Sequence, residues 1–127
     1  MTKSKKLSLE TLNRRTRKFA ESCRKKNSYP AVVVGAQKSR SKSYCKSGAL
    51  NPIDIVSKLK KRLKSIGNLY GRINGNVLGC CAEANAANDL LVKKPHLKLN
   101  EIKFSTPLRP RTMQKIKMCK NCKQTFS

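Results

Sequence analysis

The chain has no tryptophan, three phenylalanines, three tyrosines and a single histidine. With 38% of its residues hydrophobic it can build a core, but aliphatic side chains must fill it. It also lacks any apolar run long enough to cross a bilayer, and it opens on a polar, basic helical pattern instead of a charged–apolar–small signal segment. Acidic residues are the scarcest class for its size: six Asp and Glu stand against 30 Lys and Arg, a net charge of +24 over 127 residues. That excess goes well beyond what solubility needs, and it repels itself in a folded state. It points to a polyanionic partner, nucleic acid first, with an anionic membrane surface second. The length suits one domain, a basic N-terminal helix over 1–29 followed by a core over 30–127.

Helical spacing of Leu9, Leu12, Phe19 and Cys23 predicts a helix over 8–26, capped by Ser8 and basic on its far face (Arg14, Arg15, Arg17, Lys18). The stretch 30–46 reads as a hairpin, with Val32, Val33 and Val34 in a buried strand and the turn in "AQKSRS". Asn51 and Pro52 predict the cap and first position of a second helix, with Ile55, Val56, Leu59 and Leu63 on its apolar face and Gly67 ending it. Four glycines and three asparagines make 67–79 a loop. A third helix is expected from Ala82 to Lys93, stopped by Pro95, and then a strand over 97–105 with Ile102 and Phe104 on one face. "TPLRPRTMQKIK" reads as a basic connection, and "MCKNCKQTF" as the start of a last helix.

The six cysteines are unevenly spaced and do not suggest a secreted disulfide framework, so the C-x-x-C of Cys119 and Cys122 reads as metal-binding or redox-active. Placed on the expected elements, Cys81 lies at the start of one helix and Cys119 and Cys122 at the start of another. Helix N-termini favour thiolates. Three thiolates from two helix starts form a corner for zinc and leave a fourth tetrahedral position for water. Glu83, two residues after Cys81 in "CCAEANAAND", can swing back over that corner and move protons between water and a substrate nitrogen; as an ordinary first-turn acid it would instead serve the helix dipole. Cys23 and Cys45 fit core positions, and His96 reads as a surface residue.

C-A-E followed by a helix, a strand and C-x-x-C resembles the zinc nucleoside and nucleic-acid deaminases, whose signature is H-x-E with P-C-x-x-C and a variant with cysteine first. "GCCAEANAAND", with the chain closing soon after "CKNC", looks most similar to the YwqJ-like deaminase domains of bacterial polymorphic toxins, over about residues 30–126. Met118 stands where the signature has proline, and Cys80 adjoins Cys81. The resemblance implies an α/β fold, cytidine deaminase-like, with three α/β/α layers around a short mixed sheet that is truncated after the C-x-x-C helix. It implies Cys81, Cys119 and Cys122 as Zn2+ ligands and Glu83 as general acid/base, converting cytosine to uracil, or adenine to inosine.

The positive charge then favours a polymer over a free nucleoside, and single-stranded DNA above duplex DNA or RNA, because unstacking a base costs least there. Tyr44, Ser47, Tyr70, Asn74 and Asn76, with Arg72, are candidate substrate contacts. The resemblance further implies a monomeric toxin module acting in the target-cell cytoplasm, with an acidic immunity protein and no membrane partner. Two other readings of the same residues are a non-catalytic zinc-containing module that binds nucleic acid, closed by four cysteines, and a dithiol oxidoreductase using Cys119 and Cys122, for which no βαβ context precedes the pair.

Overall fold

Alternate residues of one strand, Val33 and Gly35 against Val34 and Ala36, face opposite helical layers, and that alternation organises the fold. The structure, a computed structural model, describes residues 9–27, 30–38, 40–73 and 76–127. Helix α1 (Leu9–Lys25) buries Leu12, Thr16, Ala20 and Cys23 and leaves Arg14, Arg15, Arg17 and Lys18 exposed, as its periodicity requires. The expected cap Ser8 lies outside the described residues. Strands β1 (Val33–Lys38) and β2 (Ser41–Lys46) pair antiparallel from Val33↔Lys46 to Lys38↔Ser41. Val33 packs with Ala20 and Cys23 of α1. Val34 and Ala36 point into a separate cluster built from the helices on the other face. At Gly35 the α1 layer comes so close that a Cβ would lie 2.6 Å from Thr16 Oγ1 and 2.9 Å from the Tyr44 ring, so only glycine fits.

That other face carries α2 (Ser57–Ile66) and α3 (Ala82–Lys93). Leu59 and Leu63 of α2 meet Ala86, Ala87, Leu90 and Leu91 of α3 in one cluster with Ile55, Leu78, Leu97 and Ile102. Nine of the twelve residues of α3 are buried, and its alanines let the helix lie close against β1 and β2. The sheet therefore lies between α1 and the α2–α3 layer, a mixed α/β arrangement.

Several expected boundaries move. Residues 36–38 continue β1, so the hairpin turn is shorter than the polar stretch suggested. Asn51 does cap, accepting from the Ile53 N–H at 3.2 Å, but it opens only a 3-10 turn, Pro52–Asp54. Ile55 is extended, and α2 begins at Ser57. The buried Asn88 of α3 holds this break in place. Its Oδ1 accepts from the Val56 N–H (2.8 Å) and its Nδ2 donates to the Asp54 carbonyl (2.9 Å), which satisfies two groups that a continuous helix would have paired internally.

The glycine-rich segment contains a small hairpin, β3 (Arg72–Ile73) and β4 (Asn76–Val77). Of the strand expected over 97–105, only β5 (Lys103–Phe104) forms. Residues Leu99–Glu101 make a 3-10 turn closed by the Glu101 carboxylate, which accepts from the Lys98 N–H at 2.9 Å, though Ile102 and Phe104 do share one cluster. The basic connection holds a further hairpin, β6 (Leu108–Arg109) and β7 (Gln114–Lys115), turned through Met113 at φ 61°. Helix α4 is Lys120–Thr125. The sheet order is β2-β1-β6-β7 with β5 also on β1, and every pairing among the described residues is antiparallel. The expected mixed sheet is thus corrected: tight turns, not crossover helices, join β1 to β2 and β6 to β7, and such turns return the chain antiparallel.

Replacing Asn88 with alanine strands the Val56 N–H and the Asp54 carbonyl at once, and we predict a loss of about 2–3 kcal/mol in urea unfolding with an unchanged slope.

Candidate metal centre

Two helix starts bring the sulfur atoms together. Cys81 is the N-cap of α3 and Cys119 the N-cap of α4, both in extended backbone conformation, and neither side chain caps its own helix. Their sulfurs are free to meet each other, at 2.9 Å. Cys122 lies in the first turn of α4, and the three Sγ atoms all fall within 4.8 Å of one another. Cys80 is half-buried and outside the trio, while Cys23 and Cys45 belong to the two apolar clusters. Burial pushes the Cys45 thiol up to about 11, in keeping with an inert core residue.

The supports of these two helix starts are polar groups in apolar surroundings. Asn85 of α3 donates through Nδ2 to the carbonyls of Lys46 and Gly48, both at 2.8 Å, and the Gly48 N–H donates to the Cys80 carbonyl at 2.8 Å. The end of β2 is thereby fastened to the residue preceding Cys81. On the other side, the buried Asn121 donates to the Ile73 carbonyl (2.9 Å), and Arg62 of α2 donates to the carbonyls of Gln124 (2.5 Å) and Thr125 (3.4 Å) at the end of α4. A guanidinium there both satisfies unpaired helical carbonyls and complements the negative helix end.

Glu83 is the only one of the six acidic residues that is buried, at 3% exposure. Its Oε1 lies 3.9 Å from Cys122 Sγ, beside the trio but outside it. Burial first, and the charge of Cys119 second, push its carboxyl up to about 7. Among the thiols, Cys119 is the one that ionises first. Cys122 and Cys81 turn their S–H groups toward it, and the backbone N–H groups of Cys122 and Asn121 add their field, so it falls to about 2. Cys81 is correspondingly driven up to about 12, and Cys122 rises with it. Three thiols and a carboxylate crowded in this way cannot all carry charge unless a cation joins them.

The sulfur geometry fits such a cation. Tetrahedral zinc with sulfur at roughly 2.3 Å separates its sulfurs by about 3.8 Å, so the Cys81–Cys119 pair opens by roughly 1 Å to admit the ion. Among the described residues, no other Cys, His, Asp or Glu joins the three cysteines. The three can hold a metal ion and leave one tetrahedral position to a non-protein ligand.

The remaining sequence candidates divide. Ser47 closes the hairpin mouth, its Oγ accepting from the Val32 N–H at 3.2 Å. Tyr44 stacks obliquely near Phe19, ring centroids 6.3 Å apart. The Tyr70 hydroxyl donates to the Leu50 carbonyl, which ties the loop before Cys80 to the segment after β2. Arg72 is exposed. Asn74 lies outside the described residues, as does the side chain of Asn76. His96 is on the surface, in a cleft with Lys38, Arg40 and Lys94. Asn85, Asn121 and Arg62, which position the centre, and Asn88, which holds the break before α2, were not singled out from sequence. Their signal was present: asparagine at 85 and 88, among alanines in a helix interior, disfavours the helix unless it bonds elsewhere. No family model matches the chain, and neither the curated proteins nor the solved structures compared with it contain a match.

Titrating metal-free protein with Co2+ should saturate at one ion per chain with an intense sulfur-to-cobalt charge-transfer band; Cys119→Ser should lose that band, and Cys80→Ser should keep it. The raised Glu83 carboxyl also has a pH signature. A group with a native value of about 7 against an ordinary 4.5 stabilises the fold below 4.5, and that contribution is lost as pH rises through 7. Metal-free Glu83→Gln should therefore match wild type at pH 4 and exceed it at pH 8, by on the order of 3 kcal/mol in urea unfolding.

Proposed function

We propose that the protein is a metal-dependent deaminase of nucleobases in nucleic acid, with zinc as the metal and cytosine in single-stranded DNA as the favoured target. The observation that carries this is the pairing of a three-thiol corner with the chain's one buried carboxylate. A structural zinc site needs four protein donors and no acid; a hydrolytic one needs an open position and a proton carrier. The same observation weighs against a non-catalytic zinc module, since Cys23, Cys45 and Cys80 stand apart from the trio.

Zinc, when bound to the three thiolates, supplies the Lewis acidity that lets water act as a nucleophile at neutral pH. The remaining steps belong to the chain. Cys81, Cys119 and Cys122 fix the position of the attack. Glu83 accepts one proton from the water and delivers it to the ring nitrogen, then takes the second proton from the hydroxyl newly formed on the ring carbon and gives it to the departing amine, so cytosine and water become uracil and ammonia. Its carboxyl near neutrality suits both halves of that exchange. The exposed arginines of α1 and lysines of α2 hold phosphates while one base leaves the stack.

The sheet between two helical layers, the hairpin ahead of α3 and the placing of the cysteines at the starts of α3 and α4 are compatible with a cytidine deaminase-like fold. With the resemblance to YwqJ-like domains, they support a bacterial toxin module that acts in the cytoplasm of a target cell and is restrained by an acidic immunity protein. A charge of +24 is matched by an acidic inhibitor as well as by nucleic acid.

Incubation with a cytosine-containing single strand, followed by sequencing, should give C-to-T changes. Glu83→Ala should reduce product by at least about a hundredfold while retaining one metal ion per chain. A zinc-loaded wild-type protein that converts neither cytosine nor adenine in any DNA or RNA strand would refute the proposal.

A further inference from the structure

At Asn85, two residues along α3 from Glu83, a cavity of about 340 Å³ opens at the edge strand β2, within the size range of ligand pockets (roughly 300–1,000 Å³). Phe19, Tyr44 and Leu50 give it a mostly apolar wall; Lys46, Ser47 and Asn85 complete it. It contains neither Glu83 nor any of the three converging cysteines. Asn85 nevertheless ties it to the centre, standing two residues after Glu83 and holding the Lys46 and Gly48 carbonyls that border the cavity.

Two of its residues carry buried polar atoms without a partner among the described residues, the Tyr44 hydroxyl and Asn85 Oδ1. Asn85 is only 8% exposed, and both its amide hydrogens are spent on backbone carbonyls, so its oxygen is an acceptor with no donor. Leaving such groups unmet costs about 1–3 kcal/mol apiece, a cost that a native fold carries where a ligand meets them. Neither atom is open to water, so a ligand in the cavity meets them only where the lining side chains shift aside.

The chemistry of a fitting ligand can be read from this lining. It is flat, to lie against the Phe19 and Tyr44 rings. It bears an N–H donor for Asn85 and a polar edge for the Tyr44 hydroxyl, which can both donate and accept. It also carries an anion, for the exposed Lys46 at the margin. A nucleotide has all of these. We propose that this cavity is a subsite for the base flanking the target base in a single strand. The inference builds on the reading of the protein as a nucleic-acid deaminase and adds the residues that choose sequence context. Stacking holds the flanking base while its neighbour turns toward the metal centre, and Tyr44 and Asn85 read its edge.

The test uses zinc-loaded protein carrying Glu83→Gln, so that binding is read without turnover. Its probes are a fluorescent five-nucleotide strand with one central cytosine and two versions with an abasic site immediately 5′ or 3′ of it. One of the abasic strands should bind about tenfold more weakly, the loss of one stacked base. Adding Tyr44→Phe should weaken the intact strand several-fold and leave that abasic strand unchanged. Ala49→Trp, which fills the cavity from an exposed position on its wall, should reproduce the loss. Because the Tyr44 hydroxyl has no partner among the described residues, Tyr44→Phe should keep or raise the melting temperature. Equal binding of all three strands, or a Tyr44→Phe variant that binds each as its parent does, overturns the subsite. Deamination by wild type with no such discrimination removes the subsite and leaves the deaminase reading standing. Discrimination without deamination does the reverse.

Discussion

Three thiols within 4.8 Å of one another, with a buried carboxylate against them, make a cluster whose charges repel as soon as more than one ionises. Much of the fold can be understood as the means of imposing that crowding. The sulfurs come from the starts of two helices distant in sequence, and each start is pinned by an amide in the apolar interior: Asn85 grips the end of β2 beside Cys81, and Asn121 grips β3 beside Cys122. An alanine-rich α3 can approach the sheet closely enough for Asn85 and Asn88 to reach backbone groups on neighbouring segments. A cation relieves the repulsion, and the protons that the free thiols and Glu83 retain are those it would displace.

The same arrangement separates two tasks. Of the three thiols only Cys119 is held low, by the S–H groups of Cys122 and Cys81 first and by the backbone N–H groups of the α4 start after them, while its two neighbours are driven up. Glu83 sits in the first turn of α3, where burial holds its proton to near neutrality. Two environments a few ångströms apart thus push acidic groups in opposite directions, the condition under which one group binds a metal and the other moves protons. Part of the surplus of arginine and lysine lies on the outward faces of α1 and α2.

Much of this was legible in the residues. The periodicity of Leu9, Leu12, Phe19 and Cys23 marked α1, although Leu9 at its start is exposed, the valines marked β1, and the C-A-E and C-x-x-C spacings brought together the sulfurs that the structure joins. What escaped was set by tertiary contact or by turns with unusual residues. Asn51–Pro52 announced a helix that stops after one 3-10 turn, because Asn88 captures the backbone across the break. The β6–β7 hairpin carries Met113 at positive φ, where glycine or asparagine would have been the signal. The β3–β4 hairpin did offer such a signal, an Asn-Gly pair at 74–75 between its strands, hidden among the other glycines of the segment. The short pairings of β5, β6 and β7 are too brief to leave any alternation to read.

The central claim, one metal ion gripped by three sulfurs with its last position open, is tested most directly by X-ray absorption at the zinc edge of the purified, zinc-loaded protein. The account predicts a first shell of three sulfur atoms at about 2.3 Å and one oxygen or nitrogen at about 2.0 Å. A shell of four sulfurs, or a protein that retains no stoichiometric metal, would contradict it.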